Sequence, residues 1–415
     1  MEIALTADQE RAKECLLDWF FNRSAQVFLL AGYAGTGKTF LINHVVKECF
    51  YLTPDQDAVF VTPTGKAATV LIQNGTPAST IHSLIYRKEE VKEEYVDEDG
   101  VVTVREKLFF KKRSTIDDKI KLIVVDEASM VNDDTVQDLL SFGVKCLFSG
   151  DNAQLPPVAG RNSLVPDYEL TEIVRQEADN PIVTVASLAR EGKTIPYGVY
   201  GESVCVIPRA RFRGRDRERI LREADQIICG TNATRAKLNA EIRELLGFRD
   251  KLPMEGEKLI CTLNNWDRTI DYGEEFHLVN GILGYVSDLQ YFEGDLALCS
   301  FRAEFLSDVI TEVPFDAGIF TAGEFRYGFG KDRMVCLLSD GSVVPETVGK
   351  RNEAVVEGVE PANRFEFGYA VTCHKAQGSE FDFVVVFDES WCFEEKHKWL
   401  YTAITRAKQK LLIVR

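Results

Sequence analysis

The 415-residue sequence lacks several features that would place it in a membrane, secreted or metal-binding class. It has no apolar run long enough to cross a bilayer, and its first residues, MEIALTADQERAKE, are acidic and polar, unlike a secretory leader. Its ten cysteines are scattered, without a CxxC pair or Cys/His cluster, so they indicate neither a zinc site nor an iron–sulphur cluster. We therefore expect a cytoplasmic protein with reduced thiols and no membrane partner.

An excess of basic residues is also absent. The formal net charge is −16 at pH 7, whereas proteins held on nucleic acid by bulk electrostatics usually carry a basic face. Any nucleic-acid groove must therefore be basic only locally. No long Pro, Gly or Ser tract is present, and 45% apolar with 27% charged residues is an ordinary globular composition. A chain of this length is too long for a single hydrophobic core, so we expect roughly two to four compact units.

Short apolar runs alternate with longer helical stretches through the first half of the chain. The runs lie at residues 27–32, 58–63, 121–127 and 145–151, and each ends in Gly, Thr or an acid. This pattern is typical of strands buried on both faces of a parallel sheet, and it predicts an α/β domain. A second α/β pattern starts near residue 225 and resumes with FGYAVTCHKAQG, DFVVVF and LLIV near the end of the sequence.

Two insertions interrupt these patterns. Residues 265–361 carry alternating strands punctuated by glycine, which suits a small antiparallel barrel. Residues 87–117 are strongly charged, and Asp99 with Gly100 between two β-prone arms predicts a type I′ hairpin turn. The alternative for this second insertion is a solvated acidic loop, and the residues alone leave the two interpretations even.

Residues 32–39, GYAGTGKT, match the phosphate-binding pattern G-x4-G-K-[ST]. They follow an apolar run and open the helical stretch FLINHVVKECF, which is the context that the pattern requires. Glycines let backbone N–H groups approach phosphates, Lys38 would neutralise the β and γ phosphates, and Thr39 would present a hydroxyl to Mg²⁺. The alternative, a chance Gly-rich turn, is disfavoured by both flanks.

Polar residues follow two further apolar runs. Asp126 could hold Mg²⁺ while Glu127 polarises the attacking water. Such an acid pair is by itself more often a helix N-cap, but about ninety residues after a phosphate loop it becomes a Walker B candidate. Gln154, in GDNAQLPPV, is placed to sense the γ-phosphate or its water, although the segment alone would predict only a turn.

Two arginines are candidates for donation across a cleft between domains. Arg175 lies in LTEIVRQ and Arg406 in LYTAITRAK. An arginine donated in this way stabilises the charge that develops during phosphoryl transfer. The alternative is that both are ordinary solvated surface arginines, which is the more common state of this residue type.

The order of the segments resembles a known family. LTADQERA, GYAGTGKT, VTPTGKAA, STIHSL, VVDEAS, GDNAQLPPV, LTEIVRQ, VTCHKAQGSEFD and YTAITRAK are similar, in this order, to the motifs of superfamily 1B helicases of the RecD-like and Dda-like branch. The resemblance implies two RecA-like P-loop domains with parallel sheets: domain 1A at residues 1–86 and 118–177, and domain 2A at residues 178–264 and 362–415. It also implies a β-hairpin pin (domain 1B) at residues 87–117 and an SH3-like β-barrel (domain 2B) at residues 265–361.

The resemblance also implies roles for individual residues. The nucleotide-handling set comprises the adenine-reading Gln9, the catalytic Lys38, Asp126, Glu127, Gln154, Arg175 and Arg406, the loop residues Gly32, Gly35, Thr36, Gly37, Thr39 and Phe40, and the coupling residues Gly378 and Glu380. The residues expected to contact the DNA strand are Pro63, Thr64, Thr80, His82, Thr372 and His374. Thr39 and Asp126 are the implied metal ligands, with ATP and Mg²⁺ as cofactors.

One departure from the family pattern concerns the pin. The tip, residues 97–100, is acidic and lacks an aromatic wedge, and Phe109 and Phe110 are the alternative at the hairpin base.

The implied function is an ATP-dependent DNA helicase that moves 5′ to 3′ on single-stranded DNA and unwinds forked duplexes, in replication, repair or recombination. The alternative is an RNA-directed superfamily 1 helicase or nucleoprotein remodeller. We expect a monomer with a replication or repair protein as partner, in the cytoplasm, or in the host cytoplasm if the chain is phage-encoded.

Overall fold

The computed structural model describes residues 5–96, 102–157, 160–174, 180–262, 265–271, 275–292, 296–304, 309–321, 332–337, 343–348, 360–361 and 363–415. The chain forms two compact units. The first unit comprises Met1–Ile85, Ser114–Leu246 and Tyr369–Arg415, and the second comprises Tyr86–Arg113 and Gly247–Gly368.

The helices and strands follow one another along the chain with short connections. In chain order the helices are α1 Ala7–Asn22, α2 Lys38–His44, α3 Gly65–Gln73, α4 Ile81–Ile85, α5 Asp133–Leu140, α6 Pro181–Arg190, α7 Gly214–Glu223, α8 Asn232–Leu246, α9 Gly318–Thr321, α10 Cys373–Ala376 and α11 Lys396–Ile404. The strands are β1 Val27–Gly32, β2 Ala58–Thr62, β3 Ala78–Thr80, β4 Tyr86–Val96, β5 Val102–Lys112, β6 Leu122–Val125, β7 Lys145–Gly150, β8 Tyr168–Leu170, β9 Gly198–Tyr200, β10 Val204–Ile207, β11 Gln226–Cys229, β12 Lys258–Cys261, β13 Asn265–Asp271, β14 Glu275–Leu278, β15 Leu283–Tyr291, β16 Leu296–Ala303, β17 Ile310–Asp316, β18 Asp332–Leu337, β19 Val343–Val348, β20 Glu360–Pro361, β21 Phe365–Phe367, β22 Ala370–Thr372, β23 Phe381–Phe387 and β24 Ala407–Val414.

The first unit contains two six-stranded sheets. In one sheet the order is β3-β2-β6-β7-β1-β8, and all of its strands are parallel. Its central strands are buried on both faces, as continuous apolar runs in a parallel sheet require. Helix α1 packs Leu16 and Trp19 into the core beside Phe28 of β1. The α/β class predicted from the apolar runs is confirmed.

The other sheet of the first unit has the order β22-β11-β23-β24-β10-β9. Only β9 is antiparallel to its neighbour. Ile227, Val385 and Leu412, from three adjacent strands, form a core that helix α8 covers with Leu238 and Ile242.

The parallel sheets determine where polar loops gather. Carboxyl ends of parallel strands lie along one edge of a sheet, which is where open α/β sheets bind ligands. In the first sheet the loops after β1, β6 and β7 therefore lie side by side, and the loops after β2 and β3 continue the same edge. In the second sheet, the ends of β22, β11, β23, β24 and β10 form a comparable row.

The second unit is built from antiparallel sheets. The largest has the order β17-β16-β15-β12-β21, and smaller sheets pair β13 with β14 and place β18 between β19 and β20. Strands β4 and β5 form a hairpin, in which Tyr86 pairs with Lys112 and Val96 with Val102. The acidic tip, residues 97–100, lies outside the described residues. No helix within the described ranges is both long and apolar enough to span a membrane.

Candidate nucleotide-binding site

The loop after β1 has the conformation of a phosphate cradle. Gly35 and Gly37 adopt φ angles of 81° and 73°, which side chains disfavour, and helix α2 begins at Lys38. The Lys38 ammonium donates to the carbonyl oxygens of Gly32 at 2.6 Å and Tyr33 at 3.1 Å. A Cβ at Gly32 would lie 2.9 Å from Leu170 Cβ, so this position requires glycine. The loop thus places a cation and free N–H groups at a helix start, where phosphate binds favourably.

Gln9 supports this loop from helix α1. Thr6 and Gln9 form a capping box, in which each side chain accepts a hydrogen bond from the other residue's backbone N–H. The Gln9 amide nitrogen also donates to the carbonyl oxygen of Thr36, at 3.0 Å. Gln9 is buried, while Phe40, in the first turn of α2, has an exposed side chain. In this geometry Gln9 braces the phosphate loop, and its adenine-reading role stays a prediction.

Asp8 fastens helix α1 to the segment after β8. Its carboxylate accepts hydrogen bonds from the backbone N–H groups of Thr171 at 2.8 Å and Glu172 at 3.0 Å, and from the Tyr168 hydroxyl at 2.7 Å. Burial raises the pKa of Asp8, but these donors outweigh it and hold the pKa below its ordinary value. The same segment reaches the phosphate loop, where Val174 N–H donates to the carbonyl of Gly35 at 3.0 Å.

The acid pair lies at the end of β6. Asp126 Oδ1 accepts a hydrogen bond from the Glu127 N–H at 3.0 Å, and Glu127 adopts a left-handed φ of 54°. Burial raises the pKa of both carboxyl groups, while the positive charge of Lys38 opposes the rise at Asp126 and that of Arg406 opposes it at Glu127. Strained backbone of this kind is often found at functional sites.

The segment after β7 supplies Asp151 and Gln154, and both are buried. Tyr401, from helix α11, donates its hydroxyl to Asp151 Oδ2 at 2.5 Å and accepts from the Ala34 N–H at 3.0 Å. Gln154 Oε1 is buried and accepts no hydrogen bond from the described part of the chain. An unpaired buried amide oxygen is costly unless a ligand or water supplies the missing donor. This observation fits a bound water beside a nucleotide.

Arg406 is buried where helix α11 ends. Its guanidinium donates to the carbonyl oxygens of Thr402 at 3.1 Å and Ser379 at 3.2 Å, and to the Thr405 hydroxyl at 3.1 Å. These bonds fix the guanidinium where its positive charge opposes the rise that burial causes in the pKa of Glu127. Arg175, the other candidate arginine, lies outside the described residues.

Both sheets of the first unit contribute to this cleft. The backbone of Leu155 donates to the Thr402 hydroxyl at 3.0 Å and accepts from the Gln377 side chain at 3.1 Å. Leu155 lies between β7 and β8 of the first sheet, whereas Gln377 and Thr402 lie in segments between strands of the second sheet. The segment that carries Gln154 is thus held by hydrogen bonds from segments of the second sheet.

The residues at this cleft fit a magnesium nucleotide. Thr39, in the first turn of α2, and Asp126 supply the hydroxyl and carboxylate oxygens that Mg²⁺ prefers. Lys38 would bind phosphate oxygens in place of the two loop carbonyls that it now contacts. Catalytic residues predicted from separate segments therefore converge, namely Lys38, Asp126, Glu127, Gln154 and Arg406.

The residues predicted to contact a strand in the first sheet lie at the ends of β2 and β3. Pro63 and Thr64 precede helix α3, and Thr64 caps that helix by accepting from Ala67 N–H at 3.2 Å. Thr80 is buried and accepts a hydrogen bond from Ser83 N–H, which leaves its hydroxyl engaged within the protein. His82 is exposed on helix α4.

The matching residues of the second sheet lie around β22 and helix α10. Thr372 precedes α10, and His374 packs its ring 5.7 Å from that of Phe393. Burial lowers the pKa of His374 and so favours its neutral form at neutral pH. Gly378 has a φ of 70°, and a Cβ there would lie 3.2 Å from Ala67 Cβ of the first sheet's α3. Glu380 is exposed and lies 3.8 Å from Lys408.

Sequence reasoning missed three residues that complete the cleft: Asp8, Asp151 and Tyr401. Each lies inside a motif already singled out, but nothing in the residue types indicates that Tyr401 pairs with a carboxylate 250 positions away. The signal for Asp8 was stronger. It sits inside the T-x-x-Q capping box at residues 6–9, which marks a helix start beside the phosphate loop.

The fold and this cleft define a P-loop nucleotide-binding protein of the α/β class. A family model described as an AAA domain matches residues 4–203, and one described as a UvrD-like helicase C-terminal domain matches residues 367–414. These two stretches contain the phosphate loop, the acid pair and Arg406.

Two curated relatives extend the comparison. The ATP-dependent RecD2 DNA helicase of Deinococcus radiodurans is 30% identical over 184 residues, which are 42% of this chain and 23% of that protein. The RecBCD enzyme subunit RecD of Buchnera aphidicola is 22% identical over 93% of this chain and 70% of its own length. The chain spans only 34%, 14% and 23% of the lengths of three curated relatives that it matches.

Solved structures are similar in fold. The crystal structure of Bacteroides Pif1 bound to single-stranded DNA superposes with a TM-score of 0.52 at 18% identity, covering 99% of this chain and 92% of that one. In sequence the chain is thus similar to RecD helicases, and in fold it is similar to Pif1.

Proposed function

We propose that this protein couples ATP hydrolysis to 5′-to-3′ movement along single-stranded DNA and thereby unwinds duplex DNA. ATP would bind at residues 32–39, with Mg²⁺ on Thr39 and Asp126. Glu127 and Gln154 would orient the attacking water, and Arg406 with Arg175 would stabilise the charge on the transferred phosphoryl group.

The observation that carries this proposal is the pair of connections from the second sheet to the nucleotide loops of the first. Tyr401 bonds to both Ala34 and Asp151, and Arg406 approaches Glu127. A ligand that changes the conformation of the phosphate loop must therefore also change the contacts that helix α11 makes with it. Closure of such a cleft on ATP and its reopening after hydrolysis would move the two sheets relative to one another.

The strand would lie along the residues at the ends of β2 and β3 in the first sheet and around β22 in the second. Gly378 supports this coupling because a Cβ there would lie 3.2 Å from Ala67 of helix α3, which begins beside Thr64. A movement of the cleft would therefore alter the distance between Thr64 and Thr372, which follow β2 and end β22. Alternating grip by the two sheets would convert that change into a step along the strand.

The two insertions are proposed to act on the duplex. In this proposal the hairpin of β4 and β5 is the pin that separates the strands, and the antiparallel sheet around β15 and β16 is the SH3-like domain 2B. The hairpin's paired arms are eleven residues each, a length that suits such a pin. The protein would act as a monomer on forked DNA in the cytoplasm, or in a host's cytoplasm, with a replication or repair protein as partner.

A strand-displacement assay tests the activity and its direction. Duplexes of identical sequence with either a 5′ or a 3′ single-stranded tail are incubated with the protein and ATP. We expect displacement of the 5′-tailed substrate alone, and preference for the 3′ tail would contradict the proposed direction. Hydrolysis rates with poly-dT and poly-U separate the DNA helicase from the RNA-directed alternative, because only the latter predicts greater stimulation by poly-U.

A further inference from the structure

A dense cluster of arginines lies in an otherwise acidic chain. Between residues 209 and 222 the sequence RARFRGRDRERILR contains seven arginines and two acids, although the whole chain has a net charge of −16. Arg211, Arg213 and Arg215 are exposed, and none of them forms an ion pair with another described residue. Arg217, by contrast, forms two 2.6 Å bonds with Glu241 and is internally neutralised. The cluster is therefore a local basic surface of the kind that a nucleic-acid backbone requires.

An exposed tryptophan lies beside this cluster. Trp391 has 55% of its surface exposed, which is unusual for the largest apolar side chain. The Arg209 guanidinium lies 4.7 Å from the centroid of the Trp391 ring. Arg209 is itself held by a 2.7 Å hydrogen bond to the carbonyl oxygen of Asp388. The ring is thus oriented by a fixed cation while much of its surface remains open to solvent.

The loop that carries Trp391 is fastened to the second sheet. The Glu389 carboxylate accepts hydrogen bonds from the N–H groups of Gly230 at 2.8 Å and Thr231 at 2.9 Å, and from the Thr234 hydroxyl at 2.6 Å. Three such bonds to one carboxylate hold the loop rigidly and reduce the entropy lost when a ligand binds. The fixed loop therefore keeps the Trp391 ring at the protein surface.

The position of the loop relates it to the proposed strand path. Phe393, two residues after Trp391, packs against the ring of His374. Arg209 follows β10 and Trp391 follows β23, so both lie along the row of carboxyl ends that also includes Thr372, the last residue of β22. An exposed lysine of α8, Lys237, lines a shallow cleft together with Arg209. The row of strand ends thus continues from His374 to a surface with an aromatic ring and several cations.

We propose that Arg209, Arg211, Arg213, Arg215, Lys237 and Trp391, here called the arginine–tryptophan surface, form a second contact site for single-stranded nucleic acid. The arginines would bind backbone phosphates and Trp391 would stack on a base. The combination of a basic groove with an aromatic platform is how sequence-independent single-strand binding is achieved. Duplex nucleic acid would use the cations but not the ring, because its bases are already stacked. This inference rests on the proposed function, because the choice of single-stranded nucleic acid as the ligand comes from it.

The test compares two sets of charge reversals that change the net charge equally. One variant carries Arg211→Glu, Arg213→Glu and Arg215→Glu. The control carries Arg23→Glu, Lys119→Glu and Lys121→Glu. These three exposed residues lie just before β1 and β6, at the edge of the first sheet opposite to the carboxyl ends of its strands. Binding of oligo-dT of increasing length, from about 6 to about 30 nucleotides, is measured at several salt concentrations by fluorescence anisotropy.

We expect the arginine variant to bind the short strands like the control and the long strands about tenfold more weakly. Three lost phosphate contacts on a single strand should also reduce the slope of log K against log salt by about 2. Equal affinity and equal slope in the arginine variant and its control, with wild-type protein binding normally, would overturn this inference alone. If the wild-type protein binds no single-stranded DNA at any length, the result contradicts both this inference and the proposed function.

The tryptophan gives an independent measurement. Trp391→Ala should lower the affinity for long oligo-dT by about tenfold, as expected for loss of one stacked base. Trp391→Phe should retain most of that affinity, because a phenyl ring can also stack. The wild-type protein's tryptophan fluorescence should be quenched by long oligo-dT, and this quenching should be lost in Trp391→Phe. Unchanged affinity in Trp391→Ala and unchanged quenching in Trp391→Phe would remove the ring from the site and indicate a surface for a protein instead.

Discussion

The hydroxyl of Tyr401 lies 2.5 Å from Oδ2 of Asp151, although the two residues are 250 positions apart. Burial and the neighbouring carboxylate raise the pKa of this phenol, so it remains a donor at every pH of interest. Its oxygen also accepts from the Ala34 N–H of the phosphate loop. One side chain of helix α11 therefore connects two loops of the first sheet that are proposed to contact the nucleotide.

We expect Tyr401→Phe to weaken this connection without removing the ring that fills the core. The change removes the hydrogen-bond partner of the Ala34 N–H and of Oδ2 of Asp151, while Oδ1 of Asp151 keeps the Ala153 N–H. Loss of a partner costs about 1–3 kcal/mol for a buried group. The turnover number for ATP should fall by about tenfold while KM changes less. Tyr200→Phe is the matched control, because its exposed hydroxyl donates to the nearby carbonyl of Pro196, far from the cleft residues in sequence. An equal effect of the two changes on turnover would contradict the assigned role.

The carboxylate of Asp8 should stabilise the fold in a pH-dependent manner. Its pKa is lowered in the fold, so its stabilising contribution is present above the ordinary value of 3.8 and is lost as pH falls through the lower folded value. Asp8→Asn should reduce the free energy of unfolding by about 2 kcal/mol at pH 7. Urea denaturation should show this difference shrinking below pH 3.8. Asp18→Asn, at a half-exposed site of the same helix, should have a smaller effect with the same pH dependence, because Asp18 bonds to exposed partners, Asn22 and Arg23.

Arg406→Ala should impair hydrolysis more than nucleotide binding. A guanidinium that acts on developing charge contributes mainly in the transition state, so we expect kcat to fall by about 10³ or more and the Kd for ATP to change little. Arg406→Lys keeps the charge but cannot make the three hydrogen bonds that now fix the guanidinium. It should therefore recover little activity. Equal losses in binding and turnover would assign Arg406 to ground-state binding.

Gly378→Ala should disturb the contact between the two sheets. The new Cβ would lie 3.2 Å from Ala67 Cβ, in addition to the strain of a φ of 70°. Gly192→Ala is a control with the same strain, because φ is 66° there and nothing lies within 4 Å of its Cβ. We expect Gly378→Ala to lose several-fold of the DNA stimulation of ATP hydrolysis, while Gly192→Ala retains it. If both variants retain full stimulation, the contact at Gly378 does not couple the two sites.

The sequence allowed prediction of features that local pattern determines. The phosphate loop, the acid pair and Gln154 each follow an apolar run, and strands of a parallel sheet end at one edge, so their convergence could be predicted. Contacts that depend on how distant parts of the chain pack together could not be predicted. The hydrogen bond from Gln9 to the carbonyl of Thr36 depends on how helix α1 docks, and contact of Gln9 with adenine stays a prediction. The Arg209–Trp391 contact likewise joins loops after β10 and β23, which only the strand order brings near each other.

The central claim is that the cleft at Lys38 converts ATP hydrolysis into action on single-stranded DNA. The most direct test is the rate of ATP hydrolysis with and without oligo-dT, in wild-type protein and in Lys38→Ala. We predict strong stimulation by oligo-dT in the wild-type protein. In Lys38→Ala we predict no hydrolysis in either condition, although single-strand binding stays nearly unchanged. DNA-stimulated hydrolysis that persists in Lys38→Ala would contradict the account.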